Sequence, residues 1–187
     1  MNAITQADKY LFHLINQSGR NFLFDSIMPF LRTAQFWAPF YLFIFIWVLT
    51  RFSKNNWWWL LFAALLPVVT DFVSSDIIKN QIFRLRPCND PSLINQCHFL
   101  LSYRPQSSSF TSSHATSHFG MATFYYLTLK PFIGKWSGIF FAWAGLVCYA
   151  QIYVGVHFPL DVICGGIIGS MIGYLFAFAF NKKFNLS

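Results

Sequence analysis

TAQFWAPFYLFIFIWVLT, Thr33 to Thr50, contains no charged side chain. It approaches the roughly 20 apolar residues that a helix needs to cross a bilayer. Working outward, three further stretches share its character. Trp57 to Thr70 is uncharged and runs on through DFVSSDII to Lys79. Trp136 to Val156 is uncharged, and Leu160 to Phe180 carries only Asp161. A more polar segment, Ser113 to Leu129, lies between them. Lipid offers the backbone no hydrogen bonds, so each such segment must satisfy its own, as a helix does. The reading is an all-α integral membrane protein with about five transmembrane helices over 33–181. Ahead of them, Ile4 to Asn16 mixes polar and apolar residues at helical spacing and reads as an interfacial helix. Phe22 to Leu31 reads as a second short helix or half-span, so 1–32 is assigned to the membrane surface. The first fifteen residues lack the basic start and apolar run of a cleavable signal peptide. No internal repeat or long linker divides the chain, and 1–187 is taken as one domain.

Composition agrees. The chain is 56% hydrophobic, 21% aromatic and only 10% charged, and it contains no Glu. Soluble domains carry about 25% charged residues, too many fewer here to cover a water-facing surface. The basic balance, with pI near 9.4, raises nucleic-acid binding, but no basic groove with a stacking platform is visible. The cations instead set orientation. Arg51, Lys54, Lys130, Lys135, Lys182 and Lys183 fall on one set of connections, which the positive-inside tendency places in the cytoplasm. The carboxyl terminus is then inside, and the amino terminus and the loop 87–112 are outside. Cys88 and Cys97 share that loop, where an oxidising compartment would allow a disulfide between them.

Against this apolar background, SFTSSHATSHFG (Ser109 to Gly120) crowds serines, threonines and histidines together. Four span ends bring unusual residues to the same outer face. They are Lys79 with Arg86, Ser112 to His114, Gln151, and His157 with Asp161. The set reads as anion chemistry. Arg offers a bidentate fork to phosphate and Lys a point charge. Ser112, Ser113 and His114 begin a helix, where free N–H groups favour an anion. Asp161 follows His157 by four residues, so on a helix they share a face and the carboxylate can orient the imidazole.

These residues resemble the type 2 phosphatidic acid phosphatase (PAP2) family, membrane relatives of vanadium haloperoxidases and bacterial acid phosphatases. The family motif K-x6-R-P is matched fully by Lys79 to Pro87. P-S-G-H is matched at Ser112 and His114 within Thr111-Ser112-Ser113-His114. S-R-x5-H-x3-D is matched at His157 and Asp161 within Ala150-Gln151-IYVGV-His157-FPL-Asp161. The resemblance implies a haloperoxidase-like helical bundle that dephosphorylates a membrane lipid. Phosphatidic acid, phosphatidylglycerol phosphate, undecaprenyl diphosphate and lipid A are the candidates. The implied setting is a bacterial inner membrane with the site facing the periplasm. It implies His114 as the nucleophile that becomes phosphohistidine, His157 as acid and then base, and Asp161 as its orienting partner. Lys79, Arg86, Ser112, Ser113 and Gln151 would hold the phosphate oxygens. No metal or other cofactor is implied, since the cations neutralise the phosphate. Gln151 stands where the family has Arg, and Arg84 or Arg104 is expected to supply the missing charge. Loss of turnover, leaving a phosphate-lipid binding or transport component, and transfer to an acceptor other than water are the alternatives.

Other features have plainer readings. His118 reads as a helix-packing or hydrogen-bonding residue, Asp76 as an ion-pair partner of Lys79, and Trp57-Trp58-Trp59 as an interfacial belt. The glycines of CGGIIGSMIG (Cys164 to Gly173) read as a helix-packing seam within the monomer.

Overall fold

The computed structural model describes residues 3–184 and Leu186, and no strand occurs among them. Helix α1 (Ala3–His13) ends in a wider π turn, Leu14–Ser18. Helix α2 (Phe22–Leu31) starts at Asn21, whose side chain accepts a hydrogen bond from the Phe24 N–H at 3.0 Å, the usual N-cap role of Asn. Helix α3 is Ala38–Arg51. Helix α4 (Asn56–Asp71) continues as a π-wound stretch, Phe72–Ile78, and a last turn, Lys79–Gln81. After the loop come α5 (Ser113–Ile133), α6 (Ile139–Tyr153) and α7 (Pro159–Lys183).

Among the described residues, four continuous helical stretches are long and apolar enough to cross a membrane: Ala34–Arg51, Asn56–Gln81, Ser113–Tyr153 and Pro159–Lys183. The third is double. It turns at Gly134–Gly138, where Gly134 has φ +57°, and α6 returns along α5 with Tyr125 against Phe140 and His118 against Trp143. The five legs of the sequence reading are therefore present as four stretches, one of them a hairpin. Apolar side chains on the outer legs face outward, as do Phe43, Leu65, Ile163 and Leu175, while α5 lies mostly buried at the centre, an arrangement that suits lipid as the surrounding solvent.

The inner core joins α3 to α7 around Trp59, Phe124, Tyr125, Phe140 and Trp143. Trp59 stacks on Tyr125 at 5.2 Å and donates to Thr128 Oγ1 at 2.8 Å. This corrects the belt reading for one of the three tryptophans: Trp57 and Trp58 are exposed, while Trp59 points inward and is fully buried. Helices α5 and α7 form the most extensive contact in the bundle. Gly165, Gly169 and Gly173 lie directly on Ser112, Thr116 and Gly120, and a Cβ at Gly169 or Gly173 would overlap the carbonyl oxygen of Thr116 or Gly120. The seam thus packs within the monomer.

Two smaller apolar clusters attach the amino-terminal helices to one end of this bundle. Phe12 of α1 packs with Ala115, Ile152 and Phe158. Met28 and Leu31 of α2 pack with Ala150, Tyr153 and Val156. Both helices are thereby drawn in beside the polar end of the spans.

Candidate active site

The residue after α6 that most shapes this end is Gly155, with φ +86°. A Cβ there would sit 2.7 Å from Cys97 Sγ, and the left-handed backbone favours glycine. The turn sends His157 inward, and Pro159 at the first turn of α7 starts the next helix. Asp161 lies one turn later and reaches back to accept from the Phe158 N–H at 2.9 Å. His157 and Asp161 are both buried.

The imidazole of His157 is held from both sides. Arg86 Nη1 donates to its Nε2 at 3.1 Å. An imidazole nitrogen that accepts a hydrogen bond carries no proton, so the proton of the neutral ring is on Nδ1. Nδ1 lies 3.8 Å from Asp161 Oδ2, an ion-pair distance too long for a hydrogen bond. Ser109 fills the gap: its Oγ is 3.4 Å from Nδ1 and donates to Asp161 Oδ2 at 2.6 Å. Burial pushes the His157 pKa down to about 4; Asp161 opposes that shift, and the charges of Arg86 and Lys79 add to it. The ring is a neutral base at neutral pH.

Arg86 is buried and its guanidinium is fully engaged. Besides His157, Nη1 donates to the Val156 carbonyl at 3.1 Å. Nε donates to the Ser107 carbonyl at 2.9 Å. Nη2 donates to Ser107 Oγ at 3.0 Å and to the Ser108 carbonyl at 3.3 Å. These account for the five N–H donors of the group.

Lys79 Nζ donates to Ser113 Oγ at 2.6 Å. Ser113 Oγ also lies 3.0 Å from both Ser74 Oγ and Ser75 Oγ, and Thr111 Oγ1 lies 3.2 Å from Ser74 Oγ. The two motif departures, Thr111 and Ser113, therefore form one hydroxyl network with the π-wound end of α4. Ser112 caps α5: its Oγ accepts from the Ala115 N–H at 3.4 Å, and its own N–H donates to the Asp161 carbonyl at 3.1 Å. His114, in the first turn of α5, stands parallel to His118 with ring centroids 6.2 Å apart. His118 Nδ1 donates to the His114 carbonyl at 2.8 Å, and its Nε2 lies 3.3 Å from Tyr41 Oη. His114 lines a cavity of about 490 Å³ with Tyr41, Phe45, Met121 and Tyr125. Another groove, of about 700 Å³, runs along Phe119, Ile167 and Met171 and lacks these polar groups. Gln151 is buried near the end of α6, where its Oε1 accepts from Arg32 Nε at 3.3 Å.

Four expectations are corrected. Arg84 does not stand in for the missing arginine: Nη1 bonds Asp161 Oδ1 at 2.6 Å and Nη2 bonds Asp8 Oδ2 at 2.5 Å. Arg104 Nη1 donates to the Cys88 carbonyl, and its guanidinium lies over the Phe99 ring. Lys79 does not pair with Asp76. The intervening turn is π-wound, so residues three apart no longer share a face as on an α-helix. Cys88 and Cys97 are both free thiols, with Cys97 Sγ directed at the Gly155 carbonyl at 3.8 Å.

Three residues that join this network carry no motif. Ser109 stands at the head of the polar stretch, ahead of the helix. Arg32 sits at the end of a segment assigned to the interface, with no motif to mark it. Asp8 lies far from the motifs, yet its Oδ1 accepts from the Leu160 N–H at 2.8 Å.

Comparison with known proteins fits this geometry. A Lipid A 4'-phosphatase of Bacteroides thetaiotaomicron is 29% identical over 84% of this chain and 70% of its own length. A Phosphatidylglycerophosphatase B of Bacillus subtilis is 28% identical over 93% of this chain and 83% of its own. The crystal structure of Aquifex aeolicus LpxE superposes with a TM-score of 0.62 at 28% identity, covering 89% of this chain and 92% of that one. The PAP2 superfamily profile matches residues 56–185, more than half of the chain. With that match across the span ends that carry Lys79, Arg86, His114, His157 and Asp161, the chain belongs to the PAP2 superfamily and is a membrane-embedded lipid phosphatase.

Proposed function

We propose that the protein removes a phosphate group from a phosphorylated membrane lipid through a phosphohistidine on His157, at the outer face of a bacterial inner membrane. The observation that carries this is the chain Arg86–His157–Ser109–Asp161. It leaves a lone pair on Nε2 of a neutral imidazole, beside a guanidinium and with a carboxylate behind the ring.

This arrangement favours exchanging the roles that the resemblance implies for the two histidines. His157 Nε2 attacks phosphorus, and the bond from phosphorus to the lipid oxygen breaks. His114 gives its proton to that leaving oxygen. The ring of His157, now positive with Nδ1 still protonated, faces Asp161. Water then attacks phosphorus, the P–N bond breaks, and the water's proton passes to His114. Carboxylate-backed imidazole and covalent histidine follow general nucleophilic logic. Phosphoryl transfer asks mainly for positioning and charge stabilisation, which Lys79, Arg86 and the first N–H groups of α5 supply. The negative phosphate makes a protonated His114 tolerable at that spot. Ser112 and Ser113 position those groups.

The outward orientation is supported by Arg51, Lys54, Lys130, Lys135, Lys182 and Lys183, which cluster at the helix ends opposite the site. The cavity beside His114 suits the apolar part of a lipid whose headgroup meets the histidines. Lipid A stands first among substrates because that name is carried by a relative aligned over most of the chain. The test uses purified protein in detergent with lipid A, phosphatidylglycerol phosphate and undecaprenyl diphosphate, reading free phosphate. Release by the wild type, its loss in His157→Ala, and acid-labile phosphate on the protein during turnover are expected. Undiminished release by His157→Ala sinks the reading, and release from none of the lipids favours a binding protein.

A further inference from the structure

The site's cations are unequally available. Arg84 is committed to two carboxylates, Asp8 and Asp161. Arg86 has all five donors on protein acceptors. Arg104 is committed to a loop carbonyl. Lys79 has two donors beyond its bond to Ser113. A phosphate group offers three or more oxygens, and positions such as 151 that lack a positive charge leave part of that demand unmet.

Arg32 answers it. The residue follows Leu31, the last of α2, and is half-buried rather than solvated. Its packing partner Leu31 belongs to the cluster with Ala150, Tyr153 and Val156, which fixes the end of α2 against the end of α6. There Arg32 and Gln151 bond twice: Arg32 Nε donates to Gln151 Oε1 at 3.3 Å, and Gln151 Nε2 donates to the Arg32 carbonyl at 3.4 Å. A buried Gln that meets both the side chain and the main chain of one arginine acts as a clamp on its direction. Trp37 Nε1 ties the same turn by donating to the Leu31 carbonyl at 2.8 Å. The Gln151 carbonyl accepts from the Val156 N–H at 3.3 Å, and the Val156 carbonyl accepts from Arg86 Nη1 at 3.1 Å, so Arg32 meets α6 beside the turn that carries Arg86 and His157. Tyr103, an exposed residue, is its other neighbour.

We infer that Arg32, brought in by the turn after α2 and aimed by Gln151, is a phosphate-binding cation of this site. The inference rests on the site reading above. It makes Gln151 a positioning residue, and it explains why a neutral side chain is tolerated at that place: the positive charge arrives from another helix. A guanidinium so placed adds a positive charge for the phosphate oxygens while most donors of Arg86 stay on its own scaffold.

The experiment measures phosphate release from the same lipid panel over a range of substrate concentrations, together with inhibition by inorganic phosphate. Arg32→Ala is expected to lower kcat/KM by about tenfold to a hundredfold, the size of a lost charged hydrogen bond, and to weaken inhibition by inorganic phosphate in parallel. Arg32→Lys should retain part of the activity. The double variant Arg32→Ala with Gln151→Arg returns a guanidinium to the site from α6 and should recover most of the loss. Arg32→Ala within about threefold of wild type, alongside an inactive His157→Ala, overturns the inference and leaves the site reading standing. Loss in Arg32→Ala with unchanged phosphate inhibition and no recovery in the double variant assigns Arg32 to the fold alone and also overturns it. Turnover in His157→Ala overturns the site reading and this inference together. Should Arg32→Ala not fold, Arg32→Lys and the double variant carry the same comparison.

Discussion

Arg86 Nη1 and His157 Nε2 are 3.1 Å apart, and the guanidinium donates to the ring. That bond fixes the tautomer, and in the proposed mechanism it gives way when phosphorus takes the nitrogen lone pair. Arg86→Lys keeps a charge but loses the fork that also binds Val156, Ser107 and Ser108. We expect kcat/KM to fall by about a hundredfold, with most of the loss in kcat, as read by steady-state phosphate release.

The buried ring predicts a pH profile. The His157 pKa is depressed from 6.5 to about 4 by burial. The deprotonated, reactive form is therefore complete above that value and is lost as pH falls through it. The acid limb of single-turnover phosphorylation should lie near pH 4, not 6.5. The same shift bears on stability. Between the two values the unfolded chain binds a proton that the folded chain does not, so the folding free energy declines as pH falls from 6.5 toward 4. Thermal melts of wild type and His157→Gln over that window should diverge, with the variant the flatter.

Ser109 bridges His157 Nδ1 and Asp161 Oδ2. Ser109→Ala leaves a 3.8 Å gap between ring and carboxylate. A loss of about tenfold in kcat with KM little changed is expected. Ser109→Thr, which keeps the hydroxyl, should restore part of it; equal loss in both variants would mean that Ser109 serves packing only.

Gly169→Ala forces a Cβ onto the Thr116 carbonyl where α5 and α7 touch. Overpacking of this kind costs about 1–3 kcal/mol. Because Ser112, the cap of α5, and Asp161, in the first turn of α7, are joined by the Ser112 N–H to Asp161 carbonyl bond, the variant should lose both melting temperature and turnover. Gly138→Ala, with open space around it, is the control expected to keep both.

Asp8→Asn weakens one end of the Asp8–Arg84–Asp161 chain. Asp8 is almost fully buried, so the change leaves part of a guanidinium uncompensated, unlike the loss of a surface ion pair. We expect a melting temperature lower by several degrees and a few-fold drop in kcat, measured in detergent at fixed ionic strength.

The bundle was legible in the sequence because lipid imposes length and apolarity on each span, and the α5–α6 hairpin is only a refinement of that count. Lys79, Arg86, His114, His157 and Asp161 stood out because they match the motifs of the PAP2 family in order and spacing, against an otherwise apolar background. What escaped depends on three-dimensional encounter. Arg84 was offered for the open charge at 151, but Asp8, some 76 positions away in the chain, claims it. The Asp76–Lys79 pair assumed α-helical spacing, and nothing in FVSSDII announces a π-wound turn. Trp59 could not be told from its neighbours Trp57 and Trp58 without knowing which way α4 faces.

The family profile begins at residue 56, whereas Asp8 and Arg32 come well before it. A trimmed version cut to the profile's limits would keep every motif residue and still lack Asp8, one of the two counter-ions of Arg84, and the guanidinium clasped by Gln151. The smallest autonomous catalyst in this architecture is thus larger than its recognisable signature, and the first two helices belong inside any minimal engineering scaffold.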